Sequence, residues 1–398
     1  MATVVTRDTA SERVDTAPAA TATEDIAATT EKKPSAPRLA ALDAFRGLTI
    51  FLMLLVNNIA LDSATPDGLK HGEWSGQVHI ADIVFPWFLL ATGIAVPFAV
   101  ASHRKRGSSW LGYYGKALKR TASLIALGIL VDSVIAHHFA PGLGVLQIIG
   151  LAYFVAALLS PLAARWRILA AAALLAGHTY LLLTWHVAGI SPGRITETAN
   201  AVDFFNEVYL VSWNLKGLIS VIPTAAMVLI GSVVGDIFRN KEWSLIRHAG
   251  VAALVGGLCT GLGVIMGDVL PMNKPLWTGS YILFTAGIGI TLIAVLHLLI
   301  DSTKDGQKGA FPLVVFGSNA ITAYVLPIVV KITVLQNTAI GRFLHLSREH
   351  PTIESVLQGA SFHTFGRLNG GWVYTFGYLA AVWAILYILY RKQWFLRV

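Results

Sequence analysis

The chain has 398 residues, 55% hydrophobic and 13% charged, with a mean hydropathy of +0.63. Soluble globular domains run at about 45–50% apolar and about 25% charged, so both departures point to a membrane protein. The net charge of +8 is no signature of nucleic-acid binding, because the positive residues follow membrane topology. The single cysteine, Cys259, leaves no intrachain disulfide, thiolate metal site or CxxC motif. Its apolar, Gly-rich surroundings also argue against a thiolate nucleophile.

Residues 1–38 are rich in Ala, Thr, Glu, Asp and Pro and lack apolar periodicity. They read as a disordered cytoplasmic tail with no secretory signal, ending in Lys32, Lys33 and Arg38. Residues 39–398 read as one membrane domain of the all-α polytopic class, with ten transmembrane helices expected. The expected spans are 43–61, 79–101, 118–136, 143–160, 168–186, 216–236, 248–268, 277–299, 311–334 and 371–390. Segment 340–370 is too polar to span and reads as a long loop with an interfacial helix.

Lys and Arg alternate in density along these connections. Arg104, Lys105, Arg106, Lys116, Lys119 and Arg120 crowd one side, as do Arg239, Lys241 and Arg247. Opposite loops hold few cations, Lys70 and Lys274 among them. The positive-inside rule then puts both termini in the cytoplasm and the loop after the first span outside.

That first hairpin carries the densest polar chemistry. It reads LDAFRGLTIFLMLLVNN, then KHGEWSG, then HIADIVFPWFLLATGIAVPF. His71 is either an ordinary loop histidine or a general base, since imidazole titrates near neutral pH. Asn57 and Asn58 either cap the first helix or offer an amide donor to a carbonyl that gains negative charge. Asp82 either favours the dipole of the second helix, orients His71 or binds a cation. Arg46, at the cytoplasmic end of the first span, is a snorkelling anchor or a phosphate partner, and Arg104–Arg106 and Lys116–Arg120 either contribute there or contact lipid.

Two later stretches repeat the pattern. PMNKPLWTGSY (271–281) sets Asn273, Lys274 and Trp277 at the outer face, where Trp277 and Tyr281 also fit an aromatic belt. FGSNAITAY (316–324) sets Ser318, Asn319 and Tyr324 inside a span, where Ser and Asn also serve as helix–helix contacts. No zinc spacing, P-loop or GxSxG occurs.

Taken together, LDAFRG, VNN, KHGEWSG and ADIVFPWFL resemble the heparan-α-glucosaminide N-acetyltransferase family and its bacterial relatives. GVLQIIGLAYF (144–154), GLISVIPTAAMVLIGSVVGD (217–236), PMNKPLWTGSYILFTAG (271–287) and FPLVVFGSNAITAY (311–324) extend the match from about residue 39. The resemblance implies an acyltransferase that moves acetyl groups from cytoplasmic acetyl-CoA, as co-substrate, to an amino sugar across the membrane. It puts the family's catalytic histidine on His71 and its asparagine on Asn57; Asp82 matches a motif position and is assigned by inference as third catalytic residue. Asn58, Trp74, Glu73, Asn273, Lys274 and Trp277 are then expected around the acceptor. Arg46, Ser318, Asn319 and Tyr324 are expected along acetyl-CoA. Where the family reads L-Q-R-I/L-G, this chain has Gln147-Ile148-Ile149-Gly150. An acceptor other than heparan sulfate, a plasma-membrane location and a homodimer complete the expectations, with no metal and no nucleic acid. A permease whose substrate path is lined by the same polar groups is the alternative.

Overall fold

The computed structural model describes residues 39–398 apart from 73, 75–76, 108, 186–194, 198 and 397–398. The expected tail 1–38 and Glu73 therefore lie outside the described residues. The described part is helical, with no strand, and its α-helices run in this order. They are α1 (Ala40–Asn58), α2 (Ile80–Lys105), α3 (Trp110–Ala136), α4 (Val145–Leu159), α5 (Ala164–Thr184) and the short α6 (Ala201–Phe205). Then come α7 (Val221–Arg239), α8 (Leu245–Gly267), α9 (Gly279–Ile300), α10 (Lys304–Gly309), α11 (Phe311–Ser318), α12 (Ala320–Val330), α13 (Thr338–Phe343) and α14 (Ile353–Arg391).

Among the described residues, seven helices are long and apolar enough to cross a membrane, or eight if the bent pair α11–α12 counts as one. This falls short of the ten expected spans for identifiable reasons. α3 is long but carries Lys116, Lys119, Arg120 and Asp132. α4 has 15 residues, roughly 22 Å of helix against a hydrocarbon layer of about 30 Å. The expected span 311–334 is broken at Asn319, where the two halves bend by 77°. Expected segment 340–370 supplies α13 and the first arm of α14, which turns at Gly366 (φ 76°), a left-handed conformation that glycine adopts without strain.

α2 and α7 form the middle of the bundle: 67% of each hydrophobic stretch is buried, against 28% in α5 and 22% in α8. Small residues permit the contact. A Cβ on Gly93 would overlap the Val228 carbonyl, and one on Gly231 would overlap that of Leu90. Helices in lipid associate by such close approach rather than by burying apolar surface from water. α1 meets α11 in the same way, through Gly47 against Leu313 and Gly317 against Asp43. Asp301 accepts hydrogen bonds from the Ala40 and Ala41 N–H groups, 3.1 and 3.3 Å, and so satisfies the start of α1. α1, α2, α4 and α12 together surround a cavity.

Candidate active site

The cavity has a volume of about 230 Å³. From α1 it is lined by Thr49, Ile50, Met53, Val56 and Asn57, a helical stripe that rises roughly 12 Å. α2 adds Ala81, Val84, Phe85 and Phe88; α4 adds Val145, Leu146 and Ile149; α12 adds Ile321 and Tyr324. His71 and Lys274 enter from two loops, so the polar lining is sparse and the walls are apolar.

His71, Asp82 and Lys274 form one cluster. Asp82 is the buried member, with 4% of its side chain exposed against 58% for His71 and 30% for Lys274. The Lys274 Nζ lies 3.0 Å from both the Asp82 Oδ1 and the His71 Nδ1. The His71 Nδ1 lies 3.2 Å from the same Oδ1. The other carboxylate oxygen accepts hydrogen bonds from the Gly72 and His79 N–H groups at 2.9 and 3.0 Å. Tyr281, fully buried, donates its hydroxyl to the Asp82 backbone carbonyl at 2.5 Å. The carboxylate is thus held on both oxygens and through its backbone.

This geometry offers the imidazole two tautomers. When Nδ1–H donates to Asp82, Nε2 carries the lone pair; when Lys274 donates to Nδ1, Nε2 carries the proton. Nε2 has no partner among the described residues, and the side chain lines the cavity. The first tautomer gives a base or nucleophile at the cavity wall, the second a proton donor. Upstream of His71, Lys70 donates to Asp67 and holds that carboxyl below its ordinary pKa, by the hydrogen bond first and its charge second.

The remaining expected site residues separate into several groups. Asn57 shares the cavity with His71, and its amide makes no hydrogen bond among the described residues. Asn58, one residue further around α1, donates to the Leu54 carbonyl at 2.7 Å and accepts from Lys331 at 3.0 Å. Asn273 donates to the Trp74 carbonyl at 3.1 Å and accepts from the Leu276 N–H at 2.9 Å, so both ends of its amide tie loops together. Trp74 packs beside Leu182, Leu270 and Leu276. Trp277 is buried rather than at an interface, with its ring edge-on to Phe85 at 5.1 Å. Tyr324 lines the cavity. Ser318 and Asn319 lie at the break between α11 and α12; Ser318 donates to Val315, Asn319 to Trp394. Arg46 pairs with Asp43 at 3.5 Å, one turn before Thr49. Ile148, where the resemblance expects arginine, is buried and lies outside the cavity lining.

Two contributors escaped the sequence reading. His178, inside α5, donates Nε2–H to the Leu276 carbonyl at 2.9 Å and steadies the loop that carries Lys274. A lone histidine in a hydrophobic span was the available signal. Tyr281 read as an interfacial aromatic, and its hydrogen bond to Asp82 required the packing of α9 on α2.

Helices that cross a membrane, a narrow apolar cavity and a His–Asp–Lys cluster at its rim define a multi-pass membrane protein with a candidate acyl-transfer site. The chain belongs to the family described as heparan-alpha-glucosaminide N-acetyltransferase, catalytic, whose model matches residues 38–263. It is similar to the heparan-alpha-glucosaminide N-acetyltransferase of Homo sapiens, 26% identical over 360 residues, covering 73% of this chain and 52% of the human protein. The Mus musculus protein of the same name is 24% identical over 364 residues, covering 74% of this chain and 54% of its own. The chain thus spans about half the length of the curated relatives it matches.

Proposed function

We propose that this protein transfers an acetyl group from cytoplasmic acetyl-CoA to an amino sugar at the opposite membrane face. The observation that carries the reading is that His71 and Asn57 share one apolar cavity leading along α1 toward the end that holds Arg46. The acyl-pantetheine arm would lie against this wall and Tyr324, with Arg46, Ser318 and Asn319 toward the nucleotide end. His71, oriented by Asp82, takes a proton from the acceptor amine. The amine nitrogen then bonds to the thioester carbonyl carbon while Asn57 donates to its oxygen. The C–S bond breaks, and the CoA thiolate leaves and takes up a proton. Presenting both reactants in one cavity makes the step effectively intramolecular.

Lys274 stands where acceptor and imidazole would meet, whereas Asn58, Trp74, Asn273 and Trp277 support the site through the loops and walls they hold. In this reading α3, α4 and the α11–α12 pair also cross the plasma membrane, which gives ten segments with both termini cytoplasmic. The charge distribution along the connections supports that topology.

The test uses purified full-length protein and isotopically labelled acetyl-CoA with glucosamine and de-N-acetylated oligosaccharides as acceptors. Acceptor-dependent CoA release that disappears in His71→Ala is expected. Release at the wild-type rate in that variant overturns the reading.

A further inference from the structure

A second pocket, of about 350 Å³, lies between α2, α3 and α4. His103, Arg106, Lys116, Lys119 and Arg120 line it, and no carboxylate does among the described residues. Lys116, Lys119 and Arg120 fall at spacings of three and four on α3, so they share a face and repel one another. None of the ion pairs among the described residues involves these cations or Arg106. The fold therefore concentrates positive charge at one pocket and supplies no internal counter-charge there among the described residues.

The pocket also holds polar atoms that lack partners. His103 is 2% exposed, and neither ring nitrogen makes a hydrogen bond. Its ring is held by Trp110 and Tyr113, with centroids 5.6 and 5.3 Å away. The Arg120 Nε is buried and unpartnered too, while its guanidinium rests 4.5 Å from the centre of the Tyr153 ring. Burying such groups without partners costs free energy that an anion with several acceptor oxygens would restore. Phosphate, with its charge and divergent oxygens, fits that demand better than a carboxylate or a halide.

The two cavities share helices. On α2 the central cavity reaches Phe88 and the basic pocket begins at Ala99, eleven residues and roughly 16 Å further along. On α4, Ile149 and Tyr153 line one each, a single turn apart. Arg46, one turn from the cavity residue Thr49, lies within electrostatic range of Arg120. The path from one to the other is the length that a pantetheine arm would occupy.

We infer that this basic pocket binds the phosphate groups of CoA, the 3′-phosphate and the diphosphate, while the acyl arm extends into the central cavity. The inference rests on the acetyl-CoA reading above and adds the location of donor recognition. His103 and Arg120 contact phosphate oxygens inside the pocket. Lys116 and Lys119, exposed at its rim, draw the anion in.

The experiment measures equilibrium binding of acetyl-CoA, 3′-dephospho-acetyl-CoA and S-acetylpantetheine to the full-length protein in detergent. It compares wild type with Arg120→Gln and with the double variant Lys116→Gln/Lys119→Gln, whose exposed positions leave folding intact. Wild type should prefer acetyl-CoA to its dephospho form. Each variant should bind acetyl-CoA roughly tenfold or more weakly, while its binding of S-acetylpantetheine is unchanged. Unchanged acetyl-CoA affinity in both variants overturns the inference and leaves the acetyltransferase reading standing. If wild type does not bind acetyl-CoA, both fall. A parallel arm compares nanodiscs of phosphatidylglycerol and phosphatidylcholine. Retention of phosphatidylglycerol by wild type alone, with unchanged acetyl-CoA affinity in the variants, assigns the pocket to a lipid headgroup and likewise overturns the inference.

Discussion

Replacing Asp82 by asparagine keeps the side-chain shape and removes its charge, and the four hydrogen bonds around it dictate the result. Gly72 and His79 present N–H groups to one oxygen, so the new amide oxygen must face them. Its NH2 group then points at Lys274 and at His71 Nδ1, where Oδ1 used to accept. A donor faces the ammonium, and Nδ1 has to accept, which moves the imidazole proton to Nε2. That tautomer cannot take a proton from an acceptor amine at the cavity wall. General-base catalysis contributes on the order of 10²–10⁴ in rate, so Asp82→Asn should lose that much in single-turnover acetyl transfer. Stability should fall by only about 1–2 kcal/mol, since a hydrogen bond between charged groups contributes about 1.5–3 kcal/mol and Lys274 is partly hydrated. The assay pairs a labelled acetyl-CoA time course with a melting curve on the same preparation. A folded variant that turns over near the wild-type rate would refute the assignment of Asp82 as the group that sets the tautomer.

Asn57→Ala should reduce kcat on the order of 10²–10³ with little change in acetyl-CoA affinity, as for a lost oxyanion donor. Asn58→Ala should instead register in the melting curve, by about 1–3 kcal/mol, because Lys331 loses an acceptor. His178→Phe leaves the Leu276 carbonyl without its donor and loosens the loop that carries Lys274, so steady-state kinetics should show a raised acceptor KM at near-normal acetyl-CoA affinity. Gly231→Val pushes a side chain into α2 at the Leu90 carbonyl and should cost about 1–3 kcal/mol or more, seen as early loss of the monodisperse peak on heating in detergent.

Much of the fold was legible because hydrocarbon imposes long apolar runs, and the first, second and eighth expected spans fall on α1, α2 and α9. The break at Asn319 was not. Up to Lys331, residues 311–334 are largely apolar apart from a Ser-Asn step, and the 77° bend goes with the packing of α11 against α1 through Gly47 and Gly317. Within the site, His71, Asp82 and Lys274 were legible as polar groups at the edge of a membrane, but their convergence was not. Lys274 is 203 residues from His71, and only the packing of α9 on α2 brings their loops together. Asn273 and Trp277 carry structural contacts of their own. They sit beside Lys274 in sequence and read as its companions, yet the loop uses them to hold Trp74 and Phe85 in place.

The neighbouring asparagines at the end of α1 show how the fold separates support from chemistry. Successive helix residues point about 100° apart, so Asn57 and Asn58 cannot both face the cavity. Asn58 turns into a network in which Lys331 also lies 3.5 Å from Glu354 and Tyr374 donates to that carboxylate at 3.2 Å. The Thr375 hydroxyl, 3.4 Å from the Asn58 carbonyl, and the Ala60 N–H, which donates to that hydroxyl, add a second tie between α1 and α14. Held from that side, the last turn of α1 has little freedom to rotate, and Asn57 stays turned to the cavity with its amide uncommitted. A donor that is fixed before the ligand arrives needs no reorganisation as charge develops on a carbonyl oxygen, which is the condition under which such a donor is most effective. The adjacent pair is therefore one device, in which Asn58 fixes the helix end and Asn57 faces the cavity.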